Sequence, residues 1–291
     1  MQIIESIPEM SATAAAWRRA GHTISLVPTM GFLHAGHLSL ARQARAAAGK
    51  VALSIFVNPT QFGPGEDFQQ YPRDFARDRS LCESAGVDVL FHPHPAGAMY
   101  AADHSVRITE NVLSRGLCGA SRPGHFAGVL TIVAKLFHIT QPDVAVFGQK
   151  DAQQARIIQR MARDLNFPVR LTIAPLIREP DGLAMSSRNT YLSSGERRDA
   201  LCLMRALQLA RRLYREGARD AETIRRRMIE QIQRTPSARI DYAAVVDDAT
   251  LAPVAAIQAP ILIALAVRIG KTRLIDNLML PDDRLCNLPE E

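Results

Sequence analysis

The sequence predicts an α/β protein: a parallel sheet covered by helices in the N-terminal part, followed by a smaller α+β domain. Five short runs are apolar nearly throughout, and each leads into a loop bearing glycine or proline. Helical segments alternate with those runs, as strands buried on both faces require. After about Ile177 the alternation stops, and helices are followed by strands in series.

In order, "ATAAAWRRAG" reads as a short helix stopped by Gly21,. "TISLVP" is an apolar run ending in proline, a buried strand by length and flanks,. "LSLARQARAAAG" carries an apolar stripe and reads as a helix, "VALSIFVNP" as the second strand. "DFARDRSLCESAG" is helical and "VDVLFHP" is the third strand. "GVLTIVAKLFHIT", "DVAVFG", "AQQARIIQRMARDL" and "VRLTIAP" continue as helix, strand, helix and strand. A polar loop, "REPDGLAMSSRNTYLS", then leads to amphipathic helices over about Gly195 to Gly217 and Asp220 to Arg234,. "RIDYAAVVD", "APILIALAVRIG" and "TRLIDNLML" close the chain as strands. The domains expected are 1–176 and 177–291.

Composition narrows the function. The chain has 291 residues, room for about two domains,. No apolar run approaches the roughly 20 residues needed to span a bilayer. "MQIIESIPEM" lacks the basic lead and apolar stretch of a secretory leader, so the expected location is cytoplasmic,. Cys82, Cys118, Cys202 and Cys286 are scattered without a CxxC pair, which argues against a disulfide scaffold and a zinc ribbon,. The net charge of +6 raises nucleic-acid binding. Yet the arginines of "RRLYREGARDAETIRRR" alternate with acids, and aromatics for stacking are only 5% of residues, so these helices read as solvated faces,. Lysine occurs only at Lys50, Lys135, Lys150 and Lys271, against abundant arginine. A lysine retained in such a chain draws attention, because the two cations are not interchangeable at a site.

Every motif in the N-terminal part lies at the carboxyl end of a strand or the start of the next helix, where open α/β sheets bind ligands. "PTMGFLHAGH" follows the first strand and places His34 and His37 three residues apart, with His37 opening a helix. Unpaired N–H groups and the dipole attract phosphate there. Gly31 and Gly36 let backbone approach a ligand closely,. Two surface histidines of a loop fit the same letters, whereas a metal site lacks a third ligand nearby. "FGQKDAQQ" follows the fourth strand: Gly148 permits a tight turn, Lys150 reaches a polyphosphate, Asp151 suits a helix N-cap, and Gln154 lies one turn on,. An ordinary strand–helix turn reads equally well. "MSSRN" offers two hydroxyls and a guanidinium to a triphosphate, on a loop that would close over it, or else a polar linker,. "FVNPTQFGPGEDFQQYPRD" is a long loop after a strand, in which Gln61 faces the substrate; a neutral amide orients a carboxylate without pairing its charge,. His92 and His94 read as structural, and His125 stays open between the two roles.

Taken together, "PTMGFLHAGH", "FVNPTQF", "YPRD", "RPGHFAGV", "FGQKDAQQ" and "DGLAMSSRN", in that order, make the chain resemble the pantothenate synthetase (pantoate–beta-alanine ligase) family. The resemblance implies a Rossmann-like nucleotidyltransferase domain of the HxGH superfamily, a C-terminal domain acting partly as a lid, and a homodimer. It implies that pantoate and ATP, with Mg2+, give pantoyl adenylate and pyrophosphate, and that beta-alanine then gives pantothenate and AMP. Carried onto matching positions, ATP contacts fall on Met30, Gly31, Phe32, Leu33, His34, Ala35, Gly36 and His37. Further contacts fall on Gly148, Gln149, Lys150 and Asp151, on Ile177, and on Met185, Ser186, Ser187 and Arg188. Substrate contacts, for pantoate and beta-alanine, fall on Gln61 and Gln154. His37 is implied as proton donor, with His34, Lys150 and Arg188 neutralising phosphate charge; the metal ligands stay open. Gln149 and Cys118 stand where glutamates are common in the family. The chemistry fits the inventory, because a carboxylate attacking a phosphate needs positioning and cations rather than a strong base. The rival within the superfamily forms a dinucleotide cofactor with the same phosphate site.

Overall fold

The computed structural model describes residues 1–258 and 260–290. In chain order the strands are β1 (Gln2–Ile4), β2 (Ile24–Thr29), β3 (Lys50–Ile55), β4 (Val89–Phe91), β5 (Val144–Gly148), β6 (Arg170–Ala174), β7 (Ala238–Asp247), β8 (Ile261–Ile269) and β9 (Thr272–Leu280). The helices are α1 (Ile7–Arg19), α2 (Ala35–Ala47), α3 (Phe75–Ser84), α4 (Cys118–Ser121), α5 (His125–Thr140), α6 (Ala152–Asp164), α7 (Ser194–Ala200), α8 (Cys202–Arg215) and α9 (Ala221–Gln233).

The chain forms two compact units. The first comprises Met1–Glu110, Arg122–Gly148 and Gln154–Ala174; the second comprises Asn111–Ser121, Gln149–Gln153 and Pro175–Glu291. Two short segments inside the stretch expected to form the first domain thus pack with the second. The reason is local. The buried Gln153 amide donates to the carbonyls of Leu113 and Gly116 at 2.8 and 2.9 Å and accepts the N–H of Cys118 at 2.9 Å, tying both segments together.

The first unit is built on a six-stranded parallel sheet in the order β1-β4-β3-β2-β5-β6. β1 goes beyond the sequence reading. It has three residues, too few to show as an apolar run, and it is recognisable only by its pairing of Gln2 with Val89 through Ile4 with Phe91. β2, β3 and β5 are buried almost throughout. Their side chains, with Leu40, Ala41 and Ala44 of α2 and Cys82 of α3, make one core. α1 and α3 start on side-chain caps: Ser6 accepts the N–H of Glu9, and Asp74 that of Arg77,. The strand order reverses between β2 and β5, the position at which doubly wound sheets open a crevice beyond the strand ends,.

The second unit packs α8 and α9 on an antiparallel sheet, β7-β8-β9. β8 is buried nearly end to end. The helix read as continuous from Gly195 to Gly217 divides at Leu201, which keeps near-helical angles (φ −64°, ψ −10°), so the division is a tightened turn.

Candidate active site

The loop after β2 is held from within the first unit. Thr29 Oγ1 donates to the carbonyl of Ser54 at 2.7 Å and accepts the N–H of Gly31 at 3.1 Å. The carboxylate of Asp78, on α3 and 1% exposed, accepts the N–H of Phe32 at 2.7 Å and of Leu33 at 2.6 Å. Burial lifts Asp78 above the usual carboxylate range despite these donors. Arg77 donates to the Leu33 carbonyl at 2.8 Å and lies 5.5 Å from the Phe32 ring centroid. Gly31 has φ +83°, and a Cβ there would meet Ile55 at 2.9 Å and Asp78 at 3.0 Å. Its glycine is therefore required by the protein's own packing, not only by a ligand. With these N–H groups engaged and the Leu33 side chain in the core, residues 31–33 offer a ligand shape rather than main-chain donors.

The next helix opens at Ala35, with His34 at its N-cap and His37 one turn inside. The imidazole rings lie 4.0 Å apart between centroids. The N–H of His34 donates to Nδ1 of His37 at 3.3 Å. An Nδ1 that accepts leaves the proton of neutral His37 on Nε2, which makes that atom a donor. A Cβ on Gly36 would meet the His34 ring at 2.9 Å, so Gly36 is the floor on which that ring rests.

After β3 the buried Asn58 organises the turn Pro59–Gln61. Its Oδ1 accepts from Thr60 and from the Tyr100 hydroxyl at 3.0 Å; its Nδ2 donates to Gln61 Oε1 at 3.1 Å and to the Gly128 carbonyl at 3.1 Å. Gln61 Nε2 lies 3.1 Å from Met30 Sδ, so both ends of that amide are oriented. Its main chain is held as well. Arg122 pairs with Glu66 through two 2.7 Å bonds and donates to Nε2 of His125 at 3.0 Å. A guanidinium only donates, so His125 Nε2 accepts and its Nδ1–H points at the Gln61 carbonyl, 2.8 Å away,. Burial favours the neutral Glu66 acid, but Arg122 outweighs it and draws the carboxyl below its usual range. His125, left open by the sequence, is a positioning group for Gln61. α5 lies close enough here that a Cβ on Gly128 would come within 2.7 Å of Gln61 Cα.

In the second unit, Gln149–Asp151 form a single 3-10 turn ahead of α6, with Gln149 fully buried, Lys150 half-buried and Asp151 exposed. The Asn277 amide donates to the carbonyls of Gln149 and Lys150 and accepts from Gln149 Nε2. Of the two glutamines after Lys150, Gln153 is consumed by main-chain partners, while Gln154 is half-buried on α6 in the first unit.

The "DGLAMSSRN" stretch is a tightly bonded bracket rather than the loose loop expected. Met185 N–H donates to the Ile177 carbonyl at 3.0 Å, and Arg178 pairs with Ala184 as an antiparallel bridge. Arg178 holds Asp276 through bonds of 2.7 and 2.9 Å, both side chains almost fully buried. Arg197 reaches Glu179 at 2.7 Å and Asp181 at 2.8 Å, and Asn189 reaches Glu179 at 2.5 Å. Ser186 caps the turn Ser187–Tyr191 by accepting the N–H of Arg188 at 3.3 Å.

Asn58, Asp78, Arg122, Glu66 and Asn277 are the supporting groups that sequence reasoning missed. Their signal lies in partners far along the chain, not in spacing. Cys118 sits against Tyr242 Oη at 3.2 Å and Arg273, which is also bonded to Asp241 at 2.8 Å. All four cysteines are buried free thiols. Among the described residues no group of three or more His, Cys, Asp or Glu side chains is arranged to hold a metal.

The family model for pantoate-beta-alanine ligase matches residues 2–279. A pantothenate synthetase of Heliobacterium modesticaldum is 56% identical over 96% of this chain and 99% of its own. One from Thermotoga petrophila is 53% identical over 96% of this chain and 100% of its own. A crystal structure of the Thermus thermophilus enzyme superposes with a TM-score of 0.91 at 44% identity, covering 96% of this chain and 99% of that one. The Francisella tularensis pantoate-beta-alanine ligase, complexed with beta-gamma ATP and beta-alanine, gives 0.77 at 33% identity, covering 96% and 97%. With matches of this extent, the chain belongs to the pantoate–beta-alanine ligase family.

Proposed function

We propose that the chain joins pantoate to beta-alanine in two steps, with ATP as co-substrate, giving pantothenate, AMP and pyrophosphate. The observation that carries this reading is the family match across residues 2–279. The paired imidazoles at the carboxyl end of β2 support it. In the first step a carboxylate oxygen of pantoate attacks the α-phosphorus of ATP and the bond to the β-phosphate breaks. In the second, the amine of beta-alanine attacks the acyl carbon, loses a proton, and AMP departs.

The residues divide the work by their chemistry. The Nε2–H of His37 donates to a phosphate oxygen as charge builds, and His34, its ring tilted 35° against that of His37, helps neutralise the phosphate charge,. Lys150 and Arg188 neutralise the departing pyrophosphate. Gln61, oriented by Asn58 and Met30, presents an amide that aligns the pantoate carboxylate without quenching its charge,. Gln154 is the second substrate contact. Met30–His37, Gly148–Asp151, Ile177 and Met185–Arg188 complete the nucleotide contacts. Mg2+ would accompany the triphosphate as its counter-ion. Bound there, it supplies charge neutralisation. A homodimer in the cytoplasm completes the proposal; no described helix is long and apolar enough to cross a membrane.

Pyrophosphate exchange into ATP tests the reading. Exchange is expected only with pantoate present, and Lys150→Ala is expected to abolish it in a folded protein. Exchange driven by a nucleoside monophosphate instead would make the chain a dinucleotide-forming transferase.

A further inference from the structure

β2 does not end at its proline. The strand runs through Pro28 to Thr29, and it lies inside the sheet, between β3 and β5. Proline has no N–H to give a ladder, so within sheets it is confined to edges, first positions and bulges. On the β3 side the pairing is complete, from Ile24 with Lys50 to Thr29 with Ile55. The β5 side differs. Among the described residues β2 and β5 share two pairs only, Ser25 with Val144 and Leu26 with Ala145. Each strand then continues on its other neighbour, β2 to Thr29 beside β3 and β5 to Gly148 beside β6. The sheet forks between them. β2 is buried through Val27 and half-buried from Pro28 onward; β5 is buried through Phe147 and half-buried at Gly148.

The alternation of main-chain groups sets where the fork starts. Successive strand residues turn their N–H and carbonyl groups to opposite neighbours. The carbonyls of Thr23 and Thr29 accept from Lys50 and Phe56, so odd-numbered residues here face β3. Ile24 faces the other way: its carbonyl accepts the Asp143 N–H at 2.8 Å, and its N–H donates to the Asp143 carboxylate at 2.7 Å. Leu26 and Pro28 therefore face β5. The Asp143 carbonyl accepts the Arg170 N–H on the β6 side, so Val144 and Val146 face β2. After Leu26 the next rung needs the N–H of residue 28 to reach the Val146 carbonyl, and proline has none. The rung beyond it would join the Gly148 N–H to the Pro28 carbonyl.

We propose that Pro28 is a positioning residue for the substrate crevice: by withholding its N–H it keeps the carboxyl ends of β2 and β5 apart, so that substrate rather than a ladder occupies the space between them. The inference rests on the function proposed above, in which Met30–His37 and Gly148, at these two ends, contact the nucleotide. Any other residue at 28 supplies the missing donor. The Val146 and Gly148 rungs could then form, adding hydrogen bonds and removing room.

The test is Pro28→Val and Pro28→Ala, which add the same N–H with side chains of different size. The readouts are hydrogen exchange of the residue-28 amide by NMR, the thermal midpoint, and kcat/KM for pantoate-dependent pyrophosphate exchange. Both variants are expected to show a protected amide and a midpoint equal to or above the parent's. Their kcat/KM is expected to fall by about 10- to 100-fold, the effect of an ångström-scale misplacement. A proline needed only for folding would give a different pattern, with stability and activity falling together. The 2-hydroxy analogue of valine, placed at 28 by cell-free translation, keeps that side chain with an ester oxygen in place of the N–H. It should return kcat/KM toward the parent's. The proposal is overturned by a residue-28 amide that exchanges as fast as an exposed one, by a parent-like kcat/KM in either variant, by a midpoint lowered in both, or by an ester as impaired as Pro28→Val. A parent enzyme without pantoate-dependent exchange overturns the function itself, and the proposal with it; with an active parent the other outcomes bear on Pro28 alone.

Discussion

The carboxylate of Asp78 accepts the main-chain N–H of Leu33 at 2.6 Å, across 45 residues of chain. Its other oxygen takes the N–H of Phe32. A helix between β3 and β4 therefore sets the loop that delivers the histidine pair. Asp78→Ala strands two buried donors and is expected to cost about 2–4 kcal/mol in urea unfolding. Asp78→Asn keeps one acceptor and should lose less. Both should lower kcat for exchange more than they raise the KM for ATP, since they move His34 and His37 rather than remove them.

The N–H of His34 bonded to Nδ1 of His37 leaves Nε2–H as the donor in the proposed role,. His37→Ala should lower kcat for exchange by about 10²- to 10³-fold, the usual effect of deleting one transition-state donor. His37→Gln places an amide N–H near the same point and should recover part of that loss. Equal rates for the two variants would show that the donor is not what His37 contributes.

The Glu66–Arg122 pair sets a pH window. Arg122 holds the folded carboxyl below its ordinary value. Its stabilisation is therefore complete above the unfolded pKa of about 4.3 and is lost as pH falls through the lowered folded value. Glu66→Gln should cost about 1 kcal/mol at neutral pH, with the difference from the parent vanishing only once the pH has fallen below the lowered folded pKa,. Because Arg122 and His125 anchor the Gln61 main chain, the KM for pantoate should rise in the same variant. Urea midpoints across pH and initial rates at neutral pH check both.

Arg178 and Asp276 form a buried pair, 5% and 1% exposed. Removing one partner leaves an uncompensated charge and should cost about 3–5 kcal/mol. Arg178→Met alone is expected to be far less stable than Arg178→Met combined with Asp276→Leu. A double-mutant cycle read by chemical denaturation gives the coupling.

Much of this molecule was legible in its letters. The runs "TISLVP", "VALSIFVNP" and "DVAVFG" are β2, β3 and β5 within a residue or two at the N-terminal side. Strands buried on both faces must be apolar throughout, and that composition cannot hide. β1 could not be read, because three residues gain their meaning only from Val89–Phe91 beside them. At the site, the letters singled out His34, His37, Gln61 and Lys150 but suggested partly different reasons for the glycines. Gly31 and Gly36 make room for Asp78, Ile55 and the His34 ring, contacts that no local pattern announces.

The sequence by itself determined the alternation of elements, the position of each motif at a strand end, and the types of polar group present. Those are local properties, set by periodicity, turn residues and side-chain chemistry. Only the tertiary structure decided which nitrogen of His37 and of His125 carries the proton, which way the Gln61 and Asn277 amides face, and which glutamine after Lys150 is already spoken for. Orientation and protonation depend on partners fixed by the fold, some of them tens of residues away: Met30 for Gln61, Gln61 for His125 and Gln149 for Asn277.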